Sequence, residues 1–433
     1  MMAARYLSPP GFDPSPLATP LPFHFSDRTS PNRFMKAAMT EYLATWHPTD
    51  PSQRGIPDSR LINLYSAWAA GGFGLVITGN IIIDPSHLEK EGNMIIPLSS
   101  PFSGPRFSGF SSLASSTKKS SSVGSLLLGQ LNHPGRQTQS KYQPDPVSAS
   151  DVHLDKVIFG SAAFSKPHPA SLDEIAHIVE SFIYAAVYLE QAGWDGVELH
   201  AAHGYLLAQF LSETTNRRTD AYGGSLVNRA RIITEIAAGM KERTKKGFIL
   251  GIKINSVEFQ EHGFTVDDAA ELCELLERNG FDFVELSGGT YEDMGLHHRR
   301  ESTRAREAFF LDFAERIVPK LKDTKVIVTG GLRSAGAMVD ALRTVDGVGL
   351  GRPACTEPDL PRGILEGRVE GCLKAAGLDE DDFGATAGFS ALQMRLLAMG
   401  REPLDPSREE EMKSLLSWGR MLDSLAAGEN FVF

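Results

Sequence analysis

The chain has 433 residues, of which 42% are hydrophobic and 22% charged. That balance belongs to a globular protein with a sizeable core, and the length suits one α/β barrel with extensions. Its net charge of −11, from 43 Lys and Arg against 54 Asp and Glu, excludes the diffuse basic field that binding to nucleic acid requires.

The first thirty residues carry Pro9, Pro10, Pro14, Pro16, Pro20 and Pro22, which forbid regular helix and predict an extended lead-in over residues 1–30. The opening MMAARYLSPPGFDPSPLATPLPF has no apolar core of signal-peptide length, and no later stretch reaches the ~20 apolar residues of a membrane span. Cys273, Cys355 and Cys372 are widely spaced, too few for a disulfide framework or a four-thiolate cluster. These features predict a cytoplasmic, reducing compartment and no membrane partner.

Short apolar runs then recur, each followed by a turn and a segment of helical spacing. They are RFMKAAM (33–39), GLVITGN (74–80), SLLLGQL (125–131), DGVELHA (195–201), ILGIKIN (249–255), FDFVELSG (281–288), KVIVTGG (325–331) and DGVGLGR (346–352). Among the helices, one opens on Ser171 with Glu174 at capping-box spacing and closes on Gly193; another opens on Thr265 and closes on Gly280. Strands apolar on both faces that alternate with helices imply a parallel sheet, and eight of them imply a (β/α)8 TIM barrel over residues 31–365. A doubly wound open sheet is the competing architecture.

Two regions break the rhythm. Residues 99–125 are so rich in Ser and Gly that a partly mobile loop with a frayed helix is expected. Residues 366–433 read as a C-terminal helical extension, with SALQMRLLAMG and REEEMKSLLSWGRMLDSLA as amphipathic helices for packing on the barrel or on a second copy in a homodimer.

Polar residues gather at the C-terminal ends of the runs, where barrels place active sites. In VELHAAHGY, His200 and His203 can each donate an N–H to an oxygen gaining negative charge, and Tyr205 is a competent proton donor to carbon. The metal alternative uses Glu198, His200 and His203, but His-x-x-His lacks the helical i, i+4 pairing of zinc hydrolases. VTGGLRS and GLGRP, ending runs seven and eight, free backbone N–H groups at Gly330, Gly331 and Gly351 for an anion and add the Arg352 guanidinium. Barrels commonly hold a phosphate there. Gln130 suits the edge of an amide-like heterocycle, and Lys253 suits negative charge on such a ring.

These residues resemble the old yellow enzyme family of FMN-dependent ene reductases, from about residue 20 to about 365. HAAHGYLLAQFLSETTNRRTDAYGGSLVNRARII is the most specific stretch; NRFMKAAMTEY, GQLNHPGRQ, VTGGLRS and GLGRP agree in content and order. The resemblance implies non-covalent FMN, with Ala37, Ala38, Met39 and Thr40 along the flavin, and Gly79 and Gln130 at its pyrimidine edge. It places Lys253 where the family usually has arginine, and Gly331, Gly351 and Arg352 at the phosphate. It makes His200 and His203 the grip on substrate oxygen, Tyr205 the proton donor and Tyr42 a wall of the same pocket. The implied reaction takes hydride from NAD(P)H and reduces the C=C bond of a small α,β-unsaturated carbonyl compound by a ping-pong mechanism. A metal-dependent barrel hydrolase and a flavin-binding isomerase or dehydrogenase of one biosynthetic intermediate remain as alternatives. The loop 290–306, dense in charge, reads as a solvated face or a lid.

Overall fold

All eight apolar runs form strands in the computed structural model, which describes residues 4–155, 163–256, 263–288, 310–379 and 382–412. These are β1 (Phe34–Lys36), β2 (Leu75–Ile82), β3 (Leu126–Asn132), β4 (Gly196–Ala201), β5 (Ile249–Asn255), β6 (Phe283–Ser287), β7 (Lys325–Thr329) and β8 (Gly347–Leu350). Each pairs in parallel with the next, and β8 returns to β1 through Val348 opposite Phe34, closing the cylinder. The open-sheet alternative is thereby excluded.

The helices follow in alternation: α1 (Ser59–Ala70), α2 (Gly104–Ser120), α3 (Leu172–Gln191), α4 (Arg231–Arg243), α5 (Val266–Arg278), α6 (Leu311–Ile317), α7 (Ala335–Ala341) and α8 (Leu360–Leu365). Capping boxes start α3 at Ser171 with Glu174 and α5 at Thr265 with Asp268. Left-handed Gly193 and Gly280 lie just past their ends, where only glycine turns without cost.

Strand alternation sorts the barrel interior into two halves. The lower half is apolar: Met35, Leu75, Ile77, Leu126, Leu128, Ile249, Phe283 and Ile327 form one cluster with Leu21 and Phe23. Leu21 and Phe23 come from an antiparallel hairpin, Leu21–Phe23 with Arg28–Ser30, that plugs the N-terminal end. The upper half is polar, because the same alternation turns Gln130, Glu198, His200, Lys253, Asn255, Glu285 and Ser287 inward near the C-terminal rim.

Gly251 sits where these halves meet. A Cβ there would lie 2.1 Å from the ring of Phe283, itself fully buried and packed 5.8 Å from Phe23 between ring centroids. Gly251→Ala is therefore expected to lower unfolding stability by about 1–3 kcal/mol through overpacking, read as a lower urea midpoint at unchanged slope.

Three expectations need correction. Residues 99–125 hold the 17-residue helix α2, with Phe110, Leu113, Ala114 and Thr117 buried. Their spacing of three, four and seven is an apolar stripe that the serine content obscured, and each of the two larger side chains contributes about 1.5–3 kcal/mol by burial. The lead-in includes a one-turn helix, Ser15–Ala18, with Pro14 capping it and Pro16 in its first turn, where proline is tolerated. Before it, the chain runs extended, with Tyr6 N–H on Cys372 O (3.0 Å) and Ser8 Oγ on Glu370 O (2.8 Å). The tail's first helix, α9 (Phe383–Ala398), begins earlier than SALQMRLLAMG suggests and packs on the barrel, where Asn63 of α1 donates to Ala398 O at 3.0 Å. The loop 290–306 and the tail beyond residue 412 lie outside the described residues. Among the described residues no helix is long and apolar enough to cross a membrane.

Candidate active site

His200 lies at the end of β4 and Gly351 directly after β8, so parallel strands bring both to one rim of the barrel. Around that rim Ala38, Met39, Thr40, Tyr42, His203, Gly330, Gly331, Gly351 and Arg352 are all partly exposed, whereas the strands beneath are buried. The loop candidates thus lie along one rim of the barrel.

On one flank His200 and His203 bond each other, Nε2 to Nδ1 at 3.1 Å. His200 Nδ1 lies 3.0 Å from Asn80 Oδ1, an acceptor only, so Nδ1 carries the proton. His203 Nδ1 then donates to the bare His200 Nε2, and Ser287 Oγ donates to His203 Nε2 at 2.9 Å. The Asn80 amide thus fixes a one-way chain from Ser287 through His203 and His200 to Asn80, in which both imidazole N–H groups are bonded within the chain. Both rings are neutral. Burial first, then the neighbouring His203 and Lys253, holds His200 well below the usual histidine range, and burial with Lys253 brings His203 down to about 3.

His203 also has φ +58°, in the left-handed region that non-glycine residues avoid. Such strain costs about 1–3 kcal/mol and persists where neighbours over-determine it. Here Asn255 Oδ1 accepts the His203 N–H (3.1 Å) and Gln137 Nε2 donates to its carbonyl (3.2 Å). Tyr205 follows, buried, its ring 4.6 Å from that of His200 between centroids and its hydroxyl donating to Glu89 Oε1.

Beneath this flank lies a buried polar floor. Gln130 Nε2 donates to Glu198 Oε1 at 2.5 Å, and Lys253 Nζ sits 3.1 Å from Glu285 Oε1. Burial, then the charge of Glu285, raises the Glu198 carboxyl well above its usual range despite Lys253. Gly79 gives its N–H to Glu41 Oε1 at 3.0 Å, and Thr40 Oγ1 accepts from Asn80 N at 3.3 Å. Ala37 is held in register by its N–H on Leu350 O (3.0 Å), and Met39 Sδ lies 3.5 Å from Cys355 Sγ.

On the opposite flank Gly330 and Gly331 both have positive φ, +131° and +85°. A Cβ on Gly351 would meet only the Met39 side chain, at 3.4 Å, within 4 Å. Arg352, instead of pointing freely at the rim, donates Nη1 to Thr386 Oγ1 of α9 at 2.6 Å. The donor set fits FMN: an amide and an ammonium near one edge of a planar heterocycle, and open glycine turns for a phosphate.

Among the described residues the His, Asp and Glu ligand atoms that converge are not those of Glu198, His200 and His203 but Asp84, His87 and His133. Their hydrogen bonds argue against an ion there too. His87 Nε2 accepts from Val147 N (3.2 Å) and His133 Nδ1 from Gly135 N (3.0 Å). The nitrogens facing Asp84 Oδ2, at 2.8 and 3.6 Å, must therefore carry protons. A metal-bound histidine instead donates its remote N–H to an acceptor. Burial raises Asp84, but the two imidazoles outweigh it and hold the carboxylate well below its usual range, while burial brings His133 down to about 4.

Sequence reasoning missed Asn80, Asn255, Ser287 and Glu285, although all lie within the barrel strands, where alternation could have found them. Glu89 left no such signal, being in an irregular segment after β2.

The closed parallel strands and polar C-terminal rim define a (β/α)8-barrel enzyme. Residues 20–370 match the NADH:flavin oxidoreductase / NADH oxidase family, and the chain belongs to that family, the old yellow enzymes. It is 48% identical over 405 residues to an NADH-dependent flavin oxidoreductase of Aspergillus parasiticus, covering 93% of this chain and 90% of that protein. It is 26% identical over 384 residues to a cinnamate reductase of Clostridium sporogenes, covering 84% of this chain and 56% of that protein. The structure of morphinone reductase in complex with tetrahydroNAD superposes with TM-score 0.66 at 26% identity, covering 86% of this chain and 96% of that one. The chain is an NAD(P)H-dependent FMN oxidoreductase.

Proposed function

We propose that this enzyme is an ene reductase for α,β-unsaturated carbonyl compounds, working by a ping-pong mechanism. The observation that carries the reading is the neutral His200–His203 pair beside the buried Tyr205 phenol, across one rim from the Gly331 and Gly351 turns. When bound, FMN supplies the hydride acceptor and donor that links the two substrates. Gln130, Lys253, Gly79 and the Ala37–Thr40 segment would hold its heterocycle, and Gly331, Gly351 and Arg352 would take its phosphate.

When substrate enters, His203 turns its Nδ1–H from His200 Nε2 to the carbonyl oxygen, and His200, oriented by Asn80, fixes that tautomer in the waiting site. A hydrogen bond to this oxygen strengthens as the oxygen gains enolate charge, so it favours the transition state over the ground state. Tyr205 delivers a proton to the α-carbon, and Tyr42 closes the pocket. One opening serves nicotinamide and enone in turn, hence the ping-pong expectation. The name of the C. sporogenes relative, a reductase of an unsaturated acid, supports the substrate class.

The test is optical. Purified protein is expected to be yellow, to bleach on addition of NADPH or NADH without oxygen, and to regain colour with cyclohexenone but not cyclohexanone. Bleaching without recovery by any enone or maleimide would leave an FMN oxidoreductase but remove the ene-reductase reading.

A further inference from the structure

Glu89 is 7% exposed, and its carboxyl is held at both oxygens. Oε1 accepts from the Tyr205 hydroxyl and from Asn80 Nδ2 (2.9 Å), and Oε2 accepts from Asn93 Nδ2 (2.9 Å). Its backbone is pinned as well, by Asn93 Oδ1 on its N–H (3.1 Å) and Gln139 Nε2 on its carbonyl (3.0 Å). Among the described residues no cation pairs with it. The titratable groups facing it are Tyr205, His200 through Asn80, and Glu41 at longer range; Lys90, next in the chain, lies over the Tyr42 ring at 5.7 Å.

A phenol as buried as that of Tyr205, 6% exposed, becomes on giving its proton to carbon a phenolate with little contact with solvent. A second donor must touch its oxygen, or each turnover waits for solvent to enter. We propose that Glu89 is the proton reservoir of Tyr205: its carboxylic acid re-protonates the phenolate left when Tyr205 has protonated the substrate's α-carbon. The inference rests on the reading of Tyr205 as proton donor.

The steps balance. The Tyr205 O–H bond breaks as the α-carbon C–H bond forms, the hydride having gone to the β-carbon. The Glu89 O–H bond then breaks as the Tyr205 O–H bond re-forms, and the Glu89 carboxylate takes a proton from solvent before the next cycle. The middle transfer runs downhill, since a carboxylic acid is several pK units more acidic than a phenol. Burial raises the Glu89 carboxyl and outweighs the hydrogen bonds from Tyr205, Asn93 and Asn80 that pull it down, so it holds a proton more readily than a solvated glutamate. After the transfer, the Asn80 and Asn93 amides stabilise the carboxylate that is left until solvent re-protonates it.

Glu89→Gln keeps the shape and the hydrogen bond to Tyr205 but has no transferable proton. In the flavin-loaded protein it is expected to slow recovery of colour by cyclohexenone about 10–100-fold, and Glu89→Asp should restore part of that rate. Bleaching by NADPH, which takes no proton from Tyr205, is the internal control. An independent readout is the infrared difference spectrum between pH 5 and 8. Wild type and Tyr205→Phe should show a buried protonated-carboxyl C=O band that Glu89→Gln lacks. If Tyr205→Phe slows the enone step but Glu89→Gln does not, the reservoir is overturned and the tyrosine reading stands. If Tyr205→Phe leaves the enone step unchanged, both fall. A carboxyl band identical in wild type and Glu89→Gln overturns the reservoir whatever the rates.

Discussion

Tyr205→Phe is expected to slow the reduction of cyclohexenone by about 10²–10⁴-fold, the range for loss of a positioned general acid, while bleaching by NADPH stays nearly unchanged. The asymmetry follows from where the hydroxyl acts. Hydride transfer from nicotinamide to FMN needs no proton at carbon, whereas an enone that accepts hydride at its β-carbon must be protonated at its α-carbon. The phenylalanine ring keeps the packing against His200, 4.6 Å between centroids, so the substitution removes one oxygen from the site. It also takes a donor from Glu89, a loss of about 1–3 kcal/mol in stability that urea unfolding would register. Stopped-flow absorbance of the two half-reactions separates the effects. Equal slowing of both steps would show that Tyr205 supports the fold of the site, not the proton transfer.

The sequence disclosed the barrel because parallel strands covered by helices outside and by side chains inside must be apolar on both faces. RFMKAAM, GLVITGN and the six runs after them therefore stand out without any partner being known. It also disclosed which residues lie near the rim, since the candidates from Ala37 to Arg352 sit toward the end of a run or in the turn after it. Composition misled where it overrode spacing. Phe110, Leu113, Ala114 and Thr117 mark α2 as an amphipathic helix, yet the serines between them suggested a loop.

What the sequence could not carry is convergence between strands. Nothing in VELHAAHGY says that Asn80, 120 positions earlier, sets the His200 tautomer, or that Glu89 touches Tyr205 across 116 positions. Those contacts arise because β2 and β4 flank β3 in the closed cylinder and send their ends to the same sector of the rim. The same geometry explains the floor. Gln130, Glu198, Lys253 and Glu285 occupy consecutive strands β3 to β6, in register pairs Gln130 with Glu198 and Lys253 with Glu285. Each looks like an isolated polar residue in an apolar run until the sheet closes.

Lys253→Met tests that floor with the largest expected loss of stability. The ammonium lies 3.1 Å from Glu285, and the two side chains are 4% and 0% exposed. Removing it leaves the Glu285 and Glu198 carboxyls buried together with their nearest positive charge gone. Breaking one side of a buried pair in this way costs about 3–5 kcal/mol, a large fraction of a domain's total stability. The sign of the pH dependence follows from Glu198, already raised well above its usual range and raised further without Lys253. An acid whose folded pKa exceeds its unfolded value binds its proton on folding, so stability falls as pH rises from the unfolded value toward the folded one. The deficit of Lys253→Met should therefore be smaller at pH 5 than at pH 8. Lys253→Met with Glu285→Gln, which removes the stranded charge, should recover most of the loss, and Lys253→Arg should retain near-wild-type stability. Urea unfolding followed by far-ultraviolet circular dichroism reads all four proteins at both pH values. A single variant within 1 kcal/mol of wild type, or a double variant no better than the single, would mean that solvent or another cation already compensates these carboxyls.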